Sequence, residues 1–217
     1  CRVNVKGTDI TPTPAPSKDP VKTSVEVTTQ AELNDALANN AITSITVTTS
    51  NAASLTIPAG KYGNVDLTVN APNVDIVNNA VFKSITIKAI KGDTWTENAQ
   101  GNKITVDALK ARIVVNEAAN ILAITITKAN ADVALVVNGT AAGVTVNAKA
   151  KLNITGTTKG KVPVTVSAAA ADTEIISAVA ADIQLHANAV IELLKGAEES
   201  AVQVLSAAAK VKEKNNT

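Results

Sequence analysis

One three-residue phrase returns through most of this chain: a branched apolar residue, then threonine, then a second branched apolar residue. It reads Ile45-Thr46-Val47, Leu67-Thr68-Val69, Ile85-Thr86-Ile87, Ile104-Thr105-Val106, Ile124-Thr125-Ile126, Val144-Thr145-Val146 and Val164-Thr165-Val166. Two weaker copies follow, Ile183-Gln184-Leu185 and Val202-Gln203-Val204. The steps between copies are 22, 18, 19, 20, 20, 20, 19 and 19 residues. Self-similarity at a near-constant period of about twenty marks a stack of coils, each burying its apolar face against its neighbours. Alternation along a strand turns Ile and Val inward and the intervening Thr outward. The pattern predicts an all-β chain, a single-stranded parallel β-helix (β-solenoid) of about 8–9 coils that rises about 4.8 Å per coil to about 40 Å.

Composition agrees with a narrow, layered interior. Apolar residues make up 46% of the chain but aromatics only 1%, so the core has to be Val, Ile, Leu and Ala. The 20 basic and 19 acidic residues are dispersed, for a net charge of +1. With no basic patch and few rings to stack on bases, nucleic acid is excluded as a partner. No apolar run reaches the roughly 18–20 residues of a membrane helix.

Residues 1–23 read as a tether. Thr11-Pro12-Thr13-Pro14-Ala15-Pro16 and Pro20 favour an extended, polyproline-like course with little to bury, spanning about 3.1 Å per residue. Cys1 is the only cysteine and has no disulfide partner. A mature chain starting at such a residue resembles a bacterial lipoprotein after signal-peptide removal, with Cys1 carrying the lipid. That resemblance implies an extracytoplasmic, membrane-anchored, cell-surface location, at about 0.8 kcal/mol per buried CH₂ of the lipid chain. The solenoid is expected over residues 24–205. A capping helix over 29–39 opens on Thr29 with Glu32 three residues on, the signature of a capping box. Its Leu33, Ala36 and Leu37 share one face, suited to covering the open end of the stack. Residues 206–217 read as either a last ragged coil, a short C-terminal cap or a disordered tail.

The helix, the following strand and the turn Ile57-Pro58-Ala59-Gly60-Lys61-Tyr62 together resemble the opening of right-handed parallel β-helix proteins of the pectate-lyase-like superfold. The left-handed hexapeptide helix is the rival, but it wants a strict eighteen-residue coil (about 18, as three six-residue turns) that these steps do not keep. Within each coil a second apolar strand follows, as in Val74-Asp75-Ile76, Ile113-Val114-Val115, Val133-Ala134-Leu135 and Leu152-Asn153-Ile154. Between phrase and second strand an alanine recurs (Ala71, Ala89, Ala108, Ala129, Ala148, Ala168, Ala187, Ala207), which predicts a tight interior corner. One coil departs: Lys91 to Asn98 stands in place of a second apolar strand and holds the only Trp.

Candidate sites follow from the outward positions. The ladder Thr46, Thr68, Thr86, Thr105, Thr125, Thr145, Thr165 is either ordinary strand chemistry or a recognition surface. Ice binding, the remote alternative, uses paired Thr columns. Here the second column reads Thr48, Asn70, Lys88, Asp107, Thr127, Asn147, Ser167 and His186, and its charges interrupt such a surface. His186, the only histidine, has no second His or Cys for a metal site and reads as solvated. Polysaccharide lyases and glycoside hydrolases on this superfold need clustered carboxylates. The outward candidates Asp75, Arg112, Asn153, Glu174 and Glu192 are spread over different coils, and only Arg2 and Arg112 offer a guanidinium. Trp95, with Asp93 and Glu97, is a candidate ligand contact on an irregular loop, or else Trp95 fills the gap left by the missing strand. The expectation is a non-enzymatic binding, adhesion or structural module for polysaccharide, cell wall or another surface protein. It needs no cofactor or metal, and is a monomer or a weak end-to-end self-associating rod.

Overall fold

The structure, a computed structural model, describes residues 23–49, 54–72, 74–90, 94–207 and 209–213. Cys1, the Pro-rich stretch and Asp93 lie outside the described residues. In chain order the elements are β1 (Ser24–Val27), α1 (Gln30–Ala38), β2 (Ser44–Val47), β3 (Ser54–Ala71), β4 (Asp75–Ile90) and β5 (Thr94–Glu97). They continue with β6 (Gln100–Val106), β7 (Lys110–Val115), β8 (Asn120–Ile126), β9 (Ala131–Val137), β10 (Thr140–Ala141) and β11 (Val144–Val146). The last are β12 (Ala150–Gly156), β13 (Val162–Val166), β14 (Thr173–Ser177), β15 (Ala181–Leu185), β16 (Ala189–Leu193), β17 (Ala201–Val204) and β18 (Val211–Glu213).

Pairing between them is parallel throughout, one coil on the next. The result is an all-parallel β-solenoid of about nine turns with one short N-terminal helix. The first face stacks the recurring phrase: β1, β2, the ends of β3 and β4, then β6, β8, β11, β13, β15 and β17. The second face stacks the starts of β3 and β4, then β5, β7, β9, β12, β14, β16 and β18. Between them runs one interior, whose inward Ile, Val and Leu side chains are almost wholly removed from water.

The corners differ from expectation in two ways. Pro58 and Gly60 do not close a strand. β3 runs through them as one bent strand whose pairing slips between Ile57 and Gly60, a bulge where a proline costs no ladder bond. The alanines do not form one interior column either: Ala71, Ala108 and Ala187 are buried, whereas Ala129, Ala168 and Ala207 are exposed. Coils turn this corner with different numbers of residues (Asn70 pairs with Ala89, one beyond the simple offset), so equal sequence spacing does not give equal facing. Where β12 ends, Gly156 has φ +129 and a Cβ there would lie 2.1 Å from the Val137 carbonyl oxygen, so only glycine fits.

Both ends are legible. Thr29 caps α1, accepting from the Glu32 N–H while the Glu32 carboxylate takes the N–H groups of Thr28 and Thr29. These bonds, with that from the Thr28 backbone first, hold the Glu32 carboxyl below its usual value. Leu33, Ala36 and Leu37 close the core, and Gln30 reaches the first strand of the second face. Its amide donates to the Thr56 carbonyl and accepts from the Thr56 N–H, both at 2.8 Å. A side chain thus takes the place of the missing strand above Thr56. At the other end, Val211–Glu213 pair with β16 and add a further strand to the second face.

Candidate functional site

The threonines of the first face form one uninterrupted column. Register pairs Thr46 with Thr68, Thr68 with Thr86, Thr86 with Thr105, Thr105 with Thr125, Thr125 with Thr145, and Thr145 with Thr165. Glu26 stands above Thr46; Gln184 and Gln203 continue the column below Thr165. Each threonine is half-buried between fully buried neighbours, at an outward position of its strand. Among the described residues no protein group engages any of these seven hydroxyls. Strand spacing sets them about 4.8 Å apart over about 29 Å.

Charges beside the column are mostly neutralised in place. Lys83 Nζ lies 2.8 Å from Asp66, which also accepts from Ser84 Oγ at 2.6 Å; the Lys83 bond first, then Ser84, holds the Asp66 carboxyl below its usual value. Lys128 sits 3.9 Å from Asp107 and Lys161 3.4 Å from Asp182. His186 is exposed on the same face. The threonine column is thus bordered by three surface ion pairs.

On the second face, register separates the candidate catalytic residues. Arg112 lies beside Thr94 and Ala134, Asn153 beside Ala134 and Ile176, and Glu192 beside Ile176. Glu174 pairs with Val190, so Glu174 and Glu192 occupy adjacent coils but are offset by two residues rather than opposed. Asp75 pairs with Ser54, on the far side of β5 from Arg112. The next column alternates sign, Lys110, Asp132, Lys151, Glu174, one per coil. It borders a shallow notch of ≈ 230 Å³ that Asn130 and Asp172 also line. Among the described residues no three His, Cys, Asp or Glu side chains gather to hold a metal ion.

Trp95 and Glu97 are interior residues: of the two readings of Trp95, packing inside the stack is the one the structure shows, and both side chains stand on a strand rather than on a ligand-contacting loop. Thr94–Glu97 is the regular strand β5: Trp95 stacks in register between Ile76 and Ile113, and Glu97 between Asn78 and Val115. Trp95, Glu97, Asn78 and Asn102 are all 0% exposed. The Glu97 carboxylate accepts from Asn78 Nδ2 (2.8 and 3.0 Å to its two oxygens), Trp95 Nε1 (3.1 Å), the Ala99 N–H (2.9 Å) and Asn102 Nδ2 (3.1 Å). The amide orientations are fixed from behind. Asn78 accepts from the Ala80 N–H and donates to the Ala80 carbonyl, while Asn102 accepts from the Phe82 N–H and donates to that same carbonyl. Burial pushes the Glu97 carboxyl above its usual value, against the opposing pull of the bonds from Asn78, Ala99, Trp95 and Asn102.

Sequence reading missed this network and a second one. Beside it an asparagine ladder climbs the corner: Asn79 donates to the Ile57 carbonyl, Asn98 to Asn79, Asn116 to Asn98, and Thr157 donates to Asn138 two coils further on. The signal was present in Asn79, Asn98, Asn116 and Asn138, each one residue past the second strand's last inward position.

No protein family, curated protein or solved structure matches this chain. Its chemistry therefore has to be argued from its own geometry.

Proposed function

We propose that this protein is a non-catalytic recognition module that binds a polysaccharide or cell-wall polymer along its first face. The observation that carries this reading is the in-register column of seven threonines whose hydroxyls no described protein group engages. A repeating polymer presents hydroxyls at regular intervals, and a rigid row at strand spacing meets many of them at once, each bond weak and the sum substantial. In this reading the solenoid is a non-catalytic relative of the pectate-lyase-like superfold. Its Pro-rich segment and lipidated Cys1 hold the rod off a bacterial membrane at the cell surface.

The test incubates the full chain with plant, host and bacterial polysaccharides and isolated cell walls, scoring retention together with new reducing or unsaturated ends. Retention without new ends, lost in Thr105→Lys/Thr125→Lys, supports the reading. New ends would replace it with a polysaccharide lyase or hydrolase acting near Arg112 and Asp132. Retention that ignores the threonine substitutions moves the binding surface off the first face.

A further inference from the structure

The two ends of the solenoid are finished differently. At the first, α1 lies across the core and Gln30 occupies the backbone of Thr56. At the last, β17 carries Val202 and Val204 in register with Ile183 and Leu185, the inward positions of the coil above. Those two are 1% and 0% exposed, whereas Val202 and Val204 are 38% and 47% exposed. Leu194, Leu205 and Val211 widen the same apolar end. Among the described residues β17 pairs on one side only, with β15. Among the described residues this coil leaves apolar side chains together with a row of backbone donors and acceptors, and stacked-coil arrays require such an edge to be covered.

We propose that this end is covered by the same end of a second copy of the chain, β17 pairing antiparallel with β17 of that copy about a two-fold axis through Gln203. α1 covers the core at the opposite end, so a head-to-tail contact would meet few exposed apolar side chains there, whereas a self-complementary contact buries Val202 and Val204 of both copies. Antiparallel pairing centred on Gln203 sets Val202 against Val204 of the second copy. It sets Gln203 against itself, an amide that both donates and accepts. Reversal of β17 also brings the corner before it, with Glu198 and Glu199, onto the corner after it, with Lys210, and does so twice. All three are exposed, and the Gly196 N–H bonds to both Glu198 oxygens (3.1 and 3.0 Å) keep that carboxyl ionised.

The experiment is sedimentation velocity on the full chain over a wide concentration series. A monomer–dimer equilibrium that stops at the dimer is expected. Val204→Glu weakens it by at least about tenfold. Glu198→Lys/Glu199→Lys and Lys210→Glu, all surface changes, each weaken it alone, and a mixture of those two variants restores association. Four outcomes overturn the proposal: a monomer at every concentration, polymers beyond the dimer, association indifferent to Val204→Glu, or no restoration in the mixture. A monomer whose β17 amides exchange slowly would assign the cover to the chain's own residues after Glu213.

Discussion

Glu97→Gln tests which of two opposed forces governs the interior. In the wild type a carboxylate sits fully buried and receives only neutral donors, from Asn78, Trp95, Ala99 and Asn102. Desolvation raises its pKa above the ordinary value of 4.5; the four donors lower it, and burial prevails. The direction fixes the pH dependence. Between the ordinary value and the raised one, the folded chain holds a proton that the unfolded chain has released, so unfolding free energy falls as pH rises. The contribution is complete below about 4.5 and is lost as pH climbs through the folded value, at up to about 1.36 kcal/mol per pH unit.

Glutamine resembles the protonated acid. Its oxygen can serve Asn78, Ala99 and Asn102, but its NH₂ would set a donor against the Trp95 Nε1–H, a bond that the hydroxyl oxygen of the acid can still accept. At pH 4 the glutamine chain should therefore unfold at a lower urea concentration, weaker by about 1–3 kcal/mol for the unsatisfied Trp95 donor. As pH rises above about 4.5 the glutamine chain should gain on the wild type, because only the wild type loses the stabilising proton. All other titrations are shared and cancel in the difference. The measurement is the urea midpoint and slope for both chains across this pH range. A difference that moves the opposite way, the wild type gaining as pH rises, would show that the four donors outweigh burial and that the carboxylate is stabilised in place. Parallel curves would show that Glu97 does not change protonation across folding, and would refute the reasoning equally.

Two further expectations concern the N-terminal part of the chain. Gln30→Ala removes the side chain that bonds both backbone groups of Thr56; a loss of about 1–2 kcal/mol in unfolding free energy and faster exchange of the Thr56 amide should follow, with no change deeper in the stack. Cys1→Ser should move the cellular protein from the detergent phase to the aqueous phase if Cys1 carries a lipid; equal partitioning of both chains would remove the anchor from the proposed function.

The coil period was legible because a parallel ladder forces it. Each Thr of the first face must sit above the next, so Thr46 through Thr165 recur at nearly fixed steps and even the alternation of facing survives. The strand at Thr94–Glu97 was illegible for the same reason turned round. Its alternation, Trp95 in, Thr96 out, Glu97 in, is regular, but its second inward residue is charged, and nothing local announces the partners Asn78 and Asn102 that satisfy it. Gln30 is another such case, since its backbone partner lies 26 residues away. Among the carboxylates, outward facing could be read from alternation. Which of them meet could not, because coils of unequal length leave Glu174 beside Val190 and Glu192 beside Ile176.

The interior and the first face make separable demands, and that separation is what distinguishes a binding surface from strand chemistry. The column Ile57, Asn78, Glu97, Val115, Val137, Gly156 changes from apolar to polar to nothing within six coils, yet the coils stay in register around it. The threonine column of the first face changes nowhere over seven. Packing alone does not demand that uniformity, since the neighbouring second-face column mixes Thr56, Val77, Thr96, Val114, Val136 and Thr155 at outward positions in the same kind of sheet. A β-branched side chain satisfies the strand in either case; only the hydroxyl distinguishes the first face. Substitutions inside, such as Glu97→Gln, should therefore shift stability and leave retention on a polymer intact. Thr105→Lys/Thr125→Lys should do the reverse, and a pair of variants that failed to separate in this way would return the threonines to a purely structural role.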